Sequence, residues 1–373
     1  MKTNWKRFFG SWRWALAGVL FWAGSLHAAD ESGVAHVRAF DLPTSSYLSA
    51  ETRAALAQQH RWGSEEAASH CPPLDKTPLE RMAEARQCLA AESYRSPLYQ
   101  AVRSRYHTDM TAQTLGGIYT EIFTPAEGIA PRNRSRVLIN LHGGGFLEGA
   151  RSVSHLESIP IAAVARIKVV SVDYRQAPEA RFPAASEDVV AVYRALLKTY
   201  RPADIGIFGC SAGGLLTAQT VAWLVKDHMP LPGAVGLFCM GASYAGLGDS
   251  SIIAHALDGT PMDEFAIYQQ YFEGTRADDP LAYPVHSAAT LAVFPPALLI
   301  TATRDHALSS VVDTQARLVS AGRFVDLHVY EGLGHAFFYN PELPESRAVY
   351  TLVAQFFDTH LGTPTSGRSP RSH

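Results

Sequence analysis

Residues 205–215 read IGIFGCSAGGL. A short apolar run, 205–208, meets Gly209-Cys210-Ser211-Ala212-Gly213, and a helix-forming segment continues to Lys226. Strand, sharp turn and helix in that order lift the hydroxyl of the turn serine above the end of a sheet. Small residues two before and two after it let neighbouring backbone pass close by. A G-x-S-x-G string alone is common by chance. Its setting between a strand and a helix makes Ser211 the candidate nucleophile.

A serine hydroxyl attacks only when a base accepts its proton, and the base works best when a carboxylate fixes its tautomer. Further strand candidates lie at 118–124, 137–141, 169–172, 235–240, 297–301 and 325–330. Two of them run directly into Asp305 and His335, just past the carboxyl ends of strands, where an open parallel sheet places its ligand. Other histidines read as structural: His306 should point away from any site that Asp305 serves, His328 lies inside a strand, and His286 sits in an insertion. Asp313 reads as a solvated helix residue. The stretch Leu141-His142-Gly143-Gly144-Gly145-Phe146 leaves backbone N–H groups uncovered and suits a turn that aims donors at a developing oxyanion. Gly143 and Gly144 are the expected donors, with Ala212 as a third. A phosphate cradle would want a following Lys-Ser/Thr pair, which this loop lacks.

The strand candidates alternate with helical segments at 153–166, 184–198, 214–226, 311–321 and 346–360, which predicts an α/β domain with a mainly parallel sheet covered on both faces. Residues 30–115 carry helical signals at 49–59 and 78–92 and read as an N-terminal helical cap. The rhythm breaks again over about 249–291, where a helical insertion at 265–272 is the expected second part of the cap. The core then spans 116–362. The tail, 363–373, is rich in Ser, Pro and Arg and is expected to be disordered.

Lys2, Lys6, Arg7 and Arg13, an apolar run over 14–26, and Ala28-Ala29 together read as a signal peptide over 1–28. The run is shorter than the roughly 20 residues a spanning helix needs, so no stable membrane anchor is expected after cleavage. Export to the periplasm or medium follows. In that oxidising setting Cys71 and Cys88 are the expected disulfide, whereas Cys210 and Cys239 read as small buried hydrophobes. The 373 residues are 47% hydrophobic and 18% charged, which excludes a largely disordered chain. A formal charge of −3 gives no basic field for nucleic acid. Small neutral partners are expected, and no metal ligand set stands out.

Four motifs in order carry a resemblance: HGGGF at 142–146, DYRQAPEARFPAASED at 173–188, GCSAGG at 209–214 and GLGHAFF around His335. The chain from about 117 to 360 resembles the hormone-sensitive-lipase family of α/β-hydrolases, the bacterial group of carboxylesterases. The resemblance implies the α/β-hydrolase fold with an eight-stranded core and a helical cap. It also implies a triad of Ser211, Asp305 and His335, and ester hydrolysis without a cofactor. Two departures stand out. Cys210 occupies a position that is acidic or threonine in many relatives, and the segment after Asp305 reads His-Ala-Leu.

The expected activity is hydrolysis of a neutral, short-chain ester or lactone through an acyl-enzyme. An amidase, deacylase or peptidase could use the same three residues, and a binding protein without turnover is the more distant alternative. The sequence leaves the oligomeric state open.

Overall fold

Five strands of largely apolar character, each followed by a helix or a long connection, are best satisfied by a sheet buried on both faces. The computed structural model describes residues 39–62, 69–244, 246–258 and 270–362. Residues 1–28, the tail from 363 and most of the insertion expected at 265–272 lie outside them. The strands are β1 (Thr108–Leu115), β2 (Ile118–Pro125), β3 (Val137–Leu141), β4 (Lys168–Val172), β5 (Ile205–Cys210), β6 (Ala234–Phe238), β7 (Ala297–Ala302) and β8 (Val325–Tyr330). They form one sheet in the order β1-β2-β4-β3-β5-β6-β7-β8, antiparallel from β1 to β2 and from β2 to β4, and parallel from there on.

The alternation of side chains along each strand divides the core. Val137, Ile139 and Leu141 of β3 point into one cluster with α5 (Ala184–Leu196), α6 (Ala212–Lys226) and α9 (Leu308–Ser320). Leu138 points into the other, with Phe208, Phe238, Leu298 and the helices α4 (Val153–Ala165) and α10 (Pro344–His360). This is the period-2 rule acting on strands whose two faces are both covered. Shorter helices α7 (Asp249–Asp258) and α8 (Ala288–Val293) lie between β6 and β7.

Ahead of the sheet come α1 (Ala50–Trp62), α2 (Met82–Arg95) and α3 (Pro97–Arg105). Ser96 caps α3 by accepting from the Tyr99 amide, with Pro97 at the first helical position. A disulfide joins Cys71 to Cys88 of α2. The sheet starts earlier than the sequence reading has it: β1 occupies 108–115, inside the stretch read as helical cap. Its TDMTAQTL is mostly exposed and polar, so it shows none of the apolar alternation by which strands are recognised. The Gly116-Gly117 pair, at φ +60° and +88°, turns β1 tightly into β2 and was the available signal.

The chain divides into two compact units, 1–43 and 44–373; of the former, residues 39–43 are described and have no regular secondary structure. Among the described residues no helix is long and apolar enough to cross a membrane.

Candidate active site

β5 ends at Cys210, α6 begins at Ala212, and Ser211 between them is held at φ +58°, ψ −124°. A non-glycine residue at positive φ is strained and persists only where its surroundings fix it. Here the Ser211 amide donates to the Phe238 carbonyl (2.8 Å), and its own carbonyl accepts from the Gly214 amide (2.9 Å). The turn is so tight that a Cβ on Gly213 would lie 1.7 Å from the Leu141 carbonyl oxygen. Glycine is therefore obligatory there.

Asp305 and His335 follow β7 and β8, neighbouring parallel strands. Asp305 is buried; its Oδ1 accepts from His335 Nδ1 (2.7 Å) and from the Ala307 amide (2.9 Å), and its Oδ2 from Thr301 Oγ1 (2.9 Å). Burial works to raise the carboxyl pKa, but the imidazoles of His335 and His306 and the hydrogen bonds outweigh it and hold Asp305 below its ordinary value. With Nδ1–H committed to Asp305, His335 Nε2 is left as the basic nitrogen. Ser211 and His335 line one cavity of about 450 Å³. Among the described residues no hydrogen bond yet joins the Ser211 hydroxyl to His335, a contact that often tightens only around substrate.

His306 corrects the sequence reading. Its ring packs on that of His335 with centroids 4.1 Å apart, and it lines the same cavity rather than facing away. A tight turn after β7 buries Asp305 on one side and still delivers its neighbour to the cavity wall. Burial and the adjacent His335 push His306 down to about 3, so it is a neutral ring at working pH. Asp313, by contrast, pairs with Arg317 on an exposed face of α9, and His286 is exposed.

The glycine loop requires a second correction. The Gly143 amide donates to Glu157 Oε1 (2.9 Å) and is not available to an oxyanion. Gly144 and Gly145, at φ +109° and +62°, line the cavity together with Ala212. The loop's available donors are therefore Gly144 and Gly145, one residue further along than expected, with Ala212 at the open N-terminus of α6. A triple glycine does not reveal which of its amides is already taken.

Sequence reasoning also missed Glu157, a wholly buried carboxyl on α4. Besides Gly143 it accepts from Asn140 Nδ2 (2.7 Å) and the Tyr339 hydroxyl (2.6 Å). Burial raises it to about 7 against the pull of those hydrogen bonds. A single acid within the otherwise uncharged LESIPIAAVA run was the signal. Arg86 of α2 reaches the same loop, donating to the carbonyls of Leu147 and Ala177 and pairing with Glu179. Cys210 and Cys239 are free thiols and buried. Much of the rest of the described cavity wall, including Phe146, Val153, Leu215, Met240, Tyr244 and Phe272, is apolar or aromatic; Ser251 and His255 add polar groups, and no Lys, Arg, Asp or Glu lines it.

Comparison with known proteins agrees with this architecture. The sequence profile of the alpha/beta hydrolase fold matches residues 138–339. An acetyl-hydrolase of Streptomyces hygroscopicus is 31% identical over 258 residues, 66% of this chain and 84% of the relative. A versiconal hemiacetal acetate esterase of Emericella nidulans is 36% identical over 115 residues, 31% of this chain and 39% of that protein. Among solved structures, esterase E25 superposes with a TM-score of 0.74 at 28% identity, covering 87% of this chain and 98% of that one. An esterase of the bacterial hormone-sensitive lipase family gives 0.66 at 27%, covering 77% and 94%. With the fold profile matched across residues 138–339 and esterases among the relatives in both sequence and structure, the chain belongs to the hormone-sensitive-lipase family of α/β-hydrolases and is a carboxylic ester hydrolase.

Proposed function

We propose that the protein is an exported serine carboxylesterase that cleaves a neutral, short-chain ester or lactone through an acyl-enzyme. One observation carries this reading: His335 hydrogen-bonded to buried Asp305 shares a cavity with a serine on a strained strand-to-helix turn. Ser211 Oγ attacks the ester carbonyl while His335 Nε2 takes its proton. The tetrahedral oxyanion is held by the amides of Gly144, Gly145 and Ala212. Collapse expels the alcohol, which carries away the proton from His335. Water then attacks the acyl-serine, gives a proton to His335, and releases the acid as Ser211 recovers its hydrogen.

A neutral substrate is supported by the described cavity wall, which carries no Lys, Arg, Asp or Glu. A short acyl chain is supported by two curated relatives named for an acetyl group and an acetate ester. Export rests on the basic and apolar pattern of residues 1–28. The test uses the chain from Asp30, with initial rates on p-nitrophenyl acetate, butyrate, octanoate and palmitate beside Ser211→Ala. Turnover of the shorter esters, lost in the variant, is the expected result. Equal inertness of both proteins toward every ester and toward a fluorophosphonate would overturn the reading. N-terminal sequencing of the protein recovered outside the expressing cell's cytoplasm checks export separately.

A further inference from the structure

Three segments must keep register for this site to work: the glycine loop, the elbow and the loop that bears His335. Glu157 touches or adjoins all of them, and the reaction above gives it no role. Its Oε1 accepts from the Gly143 amide, in the loop whose next two residues line the cavity, and from the hydroxyl of Tyr339, four residues past His335. Its Oε2 accepts from Asn140 Nδ2 at the end of β3, and Asn140 is itself oriented by the Ser171 hydroxyl donating to its Oδ1. Gly143 is wedged against the elbow: a Cβ there would lie 3.1 Å from the Cys210 carbonyl oxygen and 3.4 Å from Ser211 Cβ.

We propose that Glu157 is a positioning residue for ester hydrolysis, its carboxylate holding the Gly143 peptide and, through Tyr339, the His335 loop in one register. The inference rests on the serine esterase reading. Every partner of Glu157 is a donor, so the site calls for a group with acceptors at both ends. An ionised carboxylate is the side chain that supplies them. Glutamine has nearly the same shape but must turn its NH₂ either toward Asn140 or toward Gly143 and Tyr339, setting donor against donor. The loss would fall on the oxyanion donors adjoining Gly143 rather than on the cavity walls. It should therefore lower kcat more than it changes KM.

The groups facing this carboxyl are Tyr339, Tyr174, Cys210 and Cys239, and burial raises the pKa of each. They stay neutral through the neutral range, where Glu157 itself changes charge. The active register belongs to the ionised form, so Glu157 adds a second ionisation to the acid limb that His335 already imposes as general base.

The experiment measures kcat and KM on p-nitrophenyl butyrate from pH 5.5 to 9 for the full chain, Glu157→Gln and Tyr339→Phe, with circular dichroism of each. Glu157→Gln should lose roughly ten- to a hundredfold in kcat, up to the loss of one oxyanion donor, with KM within about threefold. Its acid limb should narrow to a single ionisation. Tyr339→Phe removes a hydrogen bond that lowers the Glu157 pKa, so its acid limb should move to higher pH. A folded Glu157→Gln with wild-type kcat and pH profile would overturn the proposal. If that variant does not fold, an unmoved limb in Tyr339→Phe overturns it instead. An active wild type with unaffected variants refutes this inference alone, whereas an inert wild type removes the esterase reading and this inference with it.

Discussion

Replacing Asp305 by Asn separates charge from shape at the catalytic pair. Oδ1 accepts two hydrogen bonds, from His335 Nδ1 and the Ala307 amide, whereas Oδ2 meets a single rotatable hydroxyl, Thr301. An asparagine with its oxygen in the Oδ1 place keeps both fixed donors satisfied. Its NH₂ then faces Thr301, whose hydroxyl can rotate to accept. The fold should therefore survive with a thermal midpoint near wild type. What disappears is the buried negative charge beside the imidazolium that forms as Ser211 attacks. With the contacting atoms 2.7 Å apart, the two delocalised charges are centred about 4 Å from each other. At an effective dielectric constant of about 20 their attraction is about 4 kcal/mol, or roughly a thousandfold in rate. Initial rates on p-nitrophenyl butyrate at pH 8, with circular dichroism as the control for folding, read this directly. Should Asp305→Asn stay folded and keep more than about a tenth of wild-type kcat, the estimate and the role given to Asp305 would both be wrong.

Three further outcomes follow from the same structure. Reducing the Cys71–Cys88 disulfide, or replacing both cysteines by Ala, reopens a loop with a sequence separation of 17, and chain entropy alone sets the loss near 3 kcal/mol; denaturant unfolding should show it, and an unchanged midpoint would refute it. Gly213→Ala should give little or no folded protein, because its Cβ would meet the Leu141 carbonyl oxygen at 1.7 Å; soluble protein with a native circular dichroism spectrum would contradict the elbow geometry. Glu157 binds its proton more tightly folded than unfolded, about 7 against an ordinary 4.5, so the native state carries the extra proton between those values and stability should fall as pH rises through that window, by about 3 kcal/mol. In Glu157→Gln that part of the slope should vanish from the thermal midpoints, and a persisting slope would assign it elsewhere.

Much of this protein could be read along the chain, because some of its constraints are local. A fully buried parallel strand must be a short continuous apolar run, so β3 to β7 stood out at 137–141 and onward. The elbow glycines are required by contacts within a few residues of Ser211 and by one neighbouring strand, and they leave a compact signature. Asp305 and His335 were candidates because each follows a strand directly, and chain order alone places both at the same edge of a parallel sheet. Strand β1 escaped because an exposed edge strand has no apolar face to display.

What remained depended on contacts between residues far apart in sequence. Which glycine amide stays available to an oxyanion is decided by Glu157, fourteen residues downstream, and by Tyr339 from the far end of the chain. That His306 faces the cavity is decided by how the turn after β7 buries its neighbour Asp305. The apolar pattern and turn chemistry of the sequence determined the sheet and the order of Ser211, Asp305 and His335, because those rest on near-neighbour sterics and on burying apolar surface. Only the tertiary structure decided which donors and rings reach the cavity, because hydrogen bonds in a buried site are allotted among whatever groups the fold brings together.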